Sequence, residues 1–362
     1  MPAPPRPPRR PAVTLDVLPA QRGDCLWLEF STRRGVRRVL VDGGTPATAG
    51  LLRARLNALP VKDRRFELLV VSHIDSDHIG GVIGLMARPP AGLSVGDVWF
   101  NGLRHLGPAP RSVGQGEWLA DILGTRPDQP WNHAFGGGPV TSGRVGQSRA
   151  VTFDWGLTLT VLSPTRSRLA RLRPAWQEAL ADARAGRPVP VEPQPALRQA
   201  APTVEQLAAR RSDPDRALPN GTSIALLAEY RDVALLLGAD AFAEVLGPSV
   251  AALARRRGHD RLAVDAFKLP HHGSEANVMT SLLDAVDCRR WIFSTDGTRF
   301  DHPDDAAVAR TILDGRRRSV LYFNYRNRHT RRWWARPDVQ ERYGFTARWP
   351  EDRRGGVRLT FR

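Results

Sequence analysis

Apolar residues along this chain come in short runs, and most of the runs end in polar residues able to do chemistry. VTLDVLPAQRGDCLWLEF reads as two strands around a Gly-Asp turn, and RRVLVDGG (37–44) as a strand ending in Asp-Gly-Gly. TPATAGLLRARLNAL (45–59) has helical apolar spacing, with Thr45 or Thr48 as N-cap. ELLVVSH (67–73) is a continuous apolar run of the buried-strand kind, followed by the loop HIDSDHIGG and then GVIGLMA, which reads as a helix. DVWFN (97–101) is a further short strand, and AVTFDWGLTLTVLSP (150–164) reads as a hairpin turning at Gly156.

The second half repeats the habit. SIALLAEY and VALLLGAD form a hairpin around Arg231-Asp232, followed by a helix over AFAEVLGPSVAALARRRG. LAVDAFKLPHHGS ends a strand in a His pair. Helices over VMTSLLDAV and DDAAVARTILDGR then alternate with strands over RRWIFST and SVLYFNYR. Residues 13–160 suit one half and 220–325 the other. Residues 1–12 are Pro-rich and read as a disordered tail, and the Arg/Ala/Pro-rich stretch 165–219 reads as an insertion.

Composition narrows the class. With 41% hydrophobic residues and ten Trp in 362 residues, the chain can build a sizeable core, which excludes full disorder. No run approaches the roughly 20 apolar residues of a membrane span. The start, MPAPPRPPRRPAV, has no apolar h-region and does not read as a secretory signal. Cys25 and Cys288 are too few for a disulfide framework or a cysteine-based zinc site, so the expectation is a soluble, cytoplasmic protein with no membrane contact.

The net charge of +16 needs a discount, because Lys62 and Lys268 are the only lysines and the Arg, Ala, Gly and Pro content matches a GC-rich genome. Residues 315–362 still concentrate it, with 14 Arg against four acids, a net +10. Aromatics are interleaved there, and Arg331, Arg332, Trp333 and Trp334 form a candidate nucleic-acid contact; the alternative is a solvated Arg face over buried aromatics.

Four clusters carry candidate chemistry. His73, Asp75, Asp77 and His78 place four potential metal ligands within six residues, and imidazole with carboxylate suits zinc, manganese or iron. Asp240, after LLLGA, ends an apolar strand; a carboxylate there can bridge two cations about 3.5–4 Å apart, although a strand-end Asp taken alone more often caps the next helix. His271 and His272 precede Gly-Ser just after a strand. His302, in FDHPDD, is more often structural when seen alone.

Together these clusters resemble the metallo-β-lactamase fold and, more narrowly, the hydrolase domain of ComEC, the DNA-uptake channel protein, with its stand-alone relatives. A phosphorylcholine esterase of this fold is similar too. The resemblance spans roughly residues 13–325 and rests on LDVLPAQRGDCLWLEF, VLVDGG, SHIDSDHIGG, the Asn220-Gly-Thr-Ser turn, LLLGAD, KLPHHGS and the late His-Pro. It implies a four-layer αββα sandwich, with an insertion at 165–219 and a basic C-terminal extension from 326 to 362. It implies two divalent ions, zinc or manganese. His73 and Asp75 would hold one and Asp77 and His78 the other, Asp240 would bridge, and His272 would complete the second. His271 would contact the substrate or the developing charge, with the choice of ligand within the pair left open. Asp24, Asp42 and Asn220 would support the site, and His302 near the mouth would donate a proton or a hydrogen bond.

The chain departs from the pattern at three places. Asp75 stands where most of the superfamily has His, which marks the ComEC-like branch. Ala239 intervenes between Gly238 and Asp240. Ser163-Pro164 stands where the superfamily carries another His; His105 and His133 are the available substitutes, each more readily structural or surface. The channel's membrane segments have no counterpart here. The implied activity is metal-assisted hydrolysis, the metals lowering the pKa of a water from 15.7 toward about 7, with Asp77 or Asp240 orienting it. A phosphodiester in DNA or RNA is the expected substrate. The rivals are hydrolysis of another ester or a peptide bond, including an effector role beside a partner protein in a bacterial conflict system, and a non-catalytic binding module.

Overall fold

A strand that is apolar on both faces has to be covered on both sides. In Leu68–Val71 all four residues are fully buried, with Leu68 and Val70 facing one core and Leu69 and Val71 another. The computed structural model describes residues 12–106, 115–126, 128–171, 202–299, 301–315, 318–351 and 354–362. The tail up to residue 11 and positions 172–201 of the expected insertion lie outside the described residues.

Two large sheets face each other. The first has six strands in the order Val357–Phe361, Val13–Val17, Leu26–Thr32, Gly35–Val41, Leu68–Val71 and Val98–Phe100. The second has eight: Phe345–Arg348, Ser319–Phe323, Arg290–Phe293, Ala266–Lys268, Val233–Leu237, Ala225–Tyr230, Leu157–Ser163 and Arg149–Thr152. Leu15, Leu28, Val39 and Val70 meet Leu159, Leu226, Leu235 and Ile292 between the sheets. Helices Thr48–Asn57 and Ser76–Ala87 cover the outer face of the first sheet, where Leu52, Ile79 and Ile83 pack on Trp27, Leu40 and Leu69. Helices Ala243–Arg256 and Asp305–Asp314 cover the second, where Leu246, Val250 and Val308 pack on Leu236, Phe267 and Trp291. Helix, sheet, sheet, helix is the expected four-layer αββα arrangement. No helix among the described residues is long and apolar enough to cross a membrane.

The ladders explain where the polar motifs end up. Gly35–Val41 runs parallel to Leu68–Val71, and Val233–Leu237, Ala266–Lys268 and Arg290–Phe293 are parallel to one another. Asp42, His73, Asp240, His271 and Ser294 follow these strands, so they gather at one edge of the sandwich. Ligand sites of open parallel sheets lie outside the carboxyl ends of their strands.

Three expectations change. The hairpin Arg149–Ser163 belongs to the second sheet, so the first half ends before it. Helix Ser76–Ala87 starts inside the motif expected to be a loop, with Asp77 and His78 in its first turn. The expected extension from 326 to 362 is built into the sandwich, contributing Val357–Phe361 to one sheet and Phe345–Arg348 to the other. Apolar alternation such as Phe345 and Ala347 inward, Thr346 and Arg348 outward, was masked by the surrounding Arg content.

The same packing decides the basic segment. Trp333 is 1% exposed within the core under the second sheet. Trp334 packs partly buried against it, its ring 5.3 Å from that of Trp349. Arg332 pairs with Asp305 at 2.6 Å, while Arg331 is exposed. Trp333 is therefore a core residue and not a stacking platform for bases. Trp333→Ala is expected to cost about 3–5 kcal/mol of unfolding free energy, the usual range for a buried Trp. Chemical denaturation checks this; a change below about 0.5 kcal/mol, as for a surface site, would restore the ring to the surface.

Candidate metal centre

The site starts with backbone that must come unusually close. The N-terminal half of helix Ser76–Ala87 lies directly on the loop after Gly35–Val41: Gly43 N–H donates to the His78 carbonyl (2.8 Å) and Gly81 N–H to the Gly44 carbonyl (3.0 Å). A Cβ on Gly81 would sit 1.9 Å from the Gly43 oxygen, which is why a small residue follows the motif. Asp42, Ala239, His271 and His272 all adopt positive φ, between 46° and 60°. Each such non-glycine residue costs about 1–2 kcal/mol, and together they are strain concentrated at one place. The left-handed turn at Ala239 accounts for the extra residue before Asp240. It turns the Ala239 carbonyl to accept from His271 N–H (2.8 Å).

Asp240 is the centre. Its Oδ2 lies 3.3 Å from His78 Nε2, 3.5 Å from His272 Nε2, and 3.8 Å from the Nε2 atoms of both His73 and His271. His78 and His272 present their Nε2 atoms to each other at 3.2 Å. Asp77 Oδ2 lies 3.9 Å from His272 Nε2, and Asp75 Oδ2 lies 3.6 Å from His73 Nε2. Asp75 is the outermost of the set, with its side chain 42% exposed.

The far nitrogen of each ring is already held. His78 Nδ1 donates to Asp42 Oδ2 (2.8 Å), and Asp42 also accepts from the Ser72 amide and hydroxyl (2.7 Å each). His272 Nδ1 donates to the Ser294 carbonyl (2.8 Å). His73 Nδ1 meets the hydroxyls of Ser72 (3.0 Å) and Ser223 (3.3 Å). His271 Nδ1 meets Asn277 Oδ1 (2.9 Å) and Asp215 Oδ2 (3.2 Å). Metal-binding histidines are held in this way, with one ring nitrogen fixed by a neighbour and the other free for the ion. His73 Nε2 and Asp240 Oδ1 are buried with no hydrogen-bond partner among the described residues. Orphaned donors and acceptors on a set of imidazoles and carboxylates fit a divalent cation. Asp24, His78, Asp240 and His272 offer ligand atoms that all lie within 4.8 Å of one another.

Electrostatics follow from that crowding. Burial works against the Asp240 carboxylate, yet His78, His272 and His271 outweigh it and hold its pKa well below the usual range. Burial pulls His272 down, but Asp240 and Asp24 push it up to about 9. His78 rises well above its ordinary value against the same burial, through Asp240 and Asp42. Asp24 is buried, ion-paired with the buried Lys268, and 3.5 Å from His272 Nδ1.

The structure brings together His73, Asp75, Asp77, His78, Asp240, His271 and His272, with Asp24 and Asp42 behind them. Asn220 reaches the site by donating to Asp215 (2.8 Å) and lying 3.4 Å from His271 Nδ1. His302 is buried rather than at the mouth, its ring 5.3 Å from that of His271 and its Nδ1 3.3 Å from Asp304. His105 packs edge-on against Trp131, with burial lowering its pKa to about 4, and His133 is exposed. Four side chains were missed. Lys268 left a legible signal, a lone lysine closing an apolar strand. Asp215, Asn277 and Ser72 left none, since short polar residues in loops are common.

In the metal-free protein, protonated His272 is favoured, because its folded pKa stands above the ordinary 6.5. The stability this supplies is complete below about 6.5 and lost as pH rises through about 9. The thermal midpoint of chelator-treated protein is therefore expected to fall across that window. Ligation requires neutral imidazole, so calorimetry in buffers of different ionisation heat should show proton release on metal uptake at pH 7.

No curated protein sequence matches the chain. Among solved structures, CmlA, a diiron beta-hydroxylase from Streptomyces venezuelae, aligns at 12% identity with a TM-score of 0.38, covering 98% of this chain and 55% of its own. The chain thus spans about half the length of that hydroxylase. Zn(2+)-bound PqqB from Methylobacterium extorquens aligns at 14% identity and TM-score 0.38, over 92% of this chain and 87% of its own. A Cronobacter sakazakii metallo-beta-lactamase with a HARLDQ motif aligns at 14% and 0.30, over 71% and 77%. The family model for the metallo-beta-lactamase superfamily matches residues 25–152, the stretch that presents Asp42, His73, Asp75, Asp77 and His78. That match covers about a third of the chain, and it is a likeness of this stretch to the metallo-beta-lactamase superfamily.

Proposed function

We propose that this chain is a metal-dependent hydrolase of phosphodiesters, with DNA or RNA as substrate. The observation that carries the reading is the convergence of four imidazole Nε2 atoms on one carboxylate oxygen of Asp240, at 3.3–3.8 Å, while every opposite ring nitrogen is already occupied. His73 and Asp75 would hold one ion, Asp77, His78 and His272 a second, and Asp240 would serve both. Zinc or manganese suits these donors. Divalent ions there supply positive charge beside the scissile group and make water nucleophilic at neutral pH.

The chain's own residues do the rest. Asp42 and the Ser294 carbonyl fix the rings of His78 and His272, so their Nε2 atoms need no reorganisation. Asp77, at the first turn of its helix, orients the attacking water. His271 is 20% exposed at the side chain, the most open of the four histidines, and stabilises charge building on the substrate. Buried His302, with Asp304, backs His271 and acts on the reaction only through it. Arg22 Nε, 4.0 Å from Asp77 Oδ2, and the net charge of +16 favour an anionic substrate.

The test is hydrolysis by protein stripped with chelator and reloaded with manganese or zinc. Bis(p-nitrophenyl) phosphate and single- and double-stranded DNA and RNA are the substrates. Cleavage is expected only with metal, and Asp240→Ala is expected to lose bound metal and at least roughly a hundredfold in rate. Metal-loaded protein that cuts no polynucleotide while hydrolysing a carboxylic ester or thioester would overturn the substrate assignment.

A further inference from the structure

The described stretch 202–219 lies within what the sequence presents as an insertion, yet it crosses the metal centre. Its anchor is a buried cation. Arg310, on helix Asp305–Asp314, is 5% exposed. Its guanidinium donates to the carbonyls of Ala208 (3.2 Å) and Arg210 (2.5 Å) and to Ser212 Oγ (2.8 Å). Its other bonds reach the carbonyls of Glu275 (2.8 Å) and Val278 (3.1 Å), just beyond the His pair. One planar fork therefore fastens the arm to the segment that carries His271 and His272. A lysine would offer the charge without that geometry.

Three residues past Ser212, the arm delivers a carboxylate. Asp215 Oδ2 accepts from Asn220 Nδ2 (2.8 Å) and Asn277 Nδ2 (3.0 Å) and lies 3.2 Å from His271 Nδ1. Its Oδ1 accepts from the Ala217 amide (2.8 Å). Its side chain is only 8% exposed. Asp215 accepts from the Asn277 amide nitrogen together with the Asp240 and Ala241 carbonyls (3.3 and 3.2 Å), and these acceptors set which way that amide faces, so that Asn277 Oδ1 points to His271 Nδ1 at 2.9 Å. Two acceptors therefore surround Nδ1, which holds an N–H there and fixes the ring plane, with Nε2 on the side of Asp240. An imidazole without such a partner is free to flip or to change tautomer.

We propose that Asp215 is the positioning residue for His271, and that Arg310 keeps the arm seated so that Asp215 stays in reach. The proposal rests on the reading of His271 as a group that contacts substrate. It makes 202–219 part of the working site and ties a remote helix to the chemistry.

The test uses the full chain with Asp215→Asn, Arg310→Met, Arg310→Lys and His271→Ala. Manganese-loaded protein is assayed on bis(p-nitrophenyl) phosphate, and zinc-loaded protein labelled at histidine is followed by nitrogen NMR. Asp215→Asn is expected to lower kcat roughly ten- to a hundredfold, to leave KM and metal content within about twofold, and to move the His271 Nδ1 resonance. Arg310→Met is expected to raise amide exchange over the arm and reproduce the kcat loss, with Arg310→Lys intermediate. Should Arg310→Met fail to fold, Arg310→Lys alone decides the arm. Asp215→Asn with kcat within about twofold of wild type and an unmoved His271 resonance overturns the proposal, as does unchanged arm exchange in the Arg310 variants. Loss in His271→Ala with none in Asp215→Asn refutes positioning and leaves the hydrolase intact. Absence of hydrolysis by the wild type refutes the hydrolase reading, and the His271 resonance then decides the Asp215 contact by itself.

Discussion

Four imidazoles cannot be packed within 4 Å of one carboxylate oxygen, out of water, without something to balance them. In this chain that oxygen is Asp240 Oδ2, and much of the surrounding structure serves the demand it creates. Asp42, the Ser294 carbonyl, Ser72 with Ser223, and Asp215 with Asn277 each hold one ring by its far nitrogen. Lys268 is placed beneath the cluster against Asp24, where its charge is wholly enclosed. Divalent ions would meet the remaining demand, since His73 Nε2 and Asp240 Oδ1 are buried with no hydrogen-bond partner among the described residues.

The sandwich is a way of delivering these groups to one edge. Parallel strands start at the same end and finish at the same end, so whatever follows their last residue gathers there. Leu68–Val71 delivers His73, Val233–Leu237 delivers Asp240 and Ala266–Lys268 delivers the His pair. The close helix–loop approach at Gly43 and Gly81 then lets Asp77 and His78 reach the same point from the first turn of a helix. Rigid strands and buried helices absorb the positive φ values at Asp42, Ala239, His271 and His272, because the flanking elements have no room to relax them.

Positive charge has two separate meanings here. Arg332 pairs with Asp305, Arg310 fastens backbone carbonyls, and Arg55 and Arg358 both engage Asp16. These cations are structural, whatever the composition suggests. The charge that bears on the site is local: Lys268 below it and Arg22 beside Asp77. A net +16 therefore describes the solvent-facing field and long-range attraction of anions far better than it describes any one contact.

Much of the core of the site was legible in the sequence. Ligand-type residues at strand ends are local patterns, set by an apolar run and the residues just after it, so His73, Asp75, Asp77, His78, Asp240 and the His pair stand out in the chain itself. The layered α/β architecture was legible for the same reason, because burial on both faces leaves continuous apolar runs. What the tertiary structure decided were the long-range pairings. Trp333 became core, and Val357–Phe361 joined a strand more than 300 residues away. His302 went inside, and Asp215 and Lys268 came to stand behind His271 and Asp24. A side chain's local sequence sets its chemistry, but its partner is chosen by how the sheets and helices pack, and no local pattern encodes that choice.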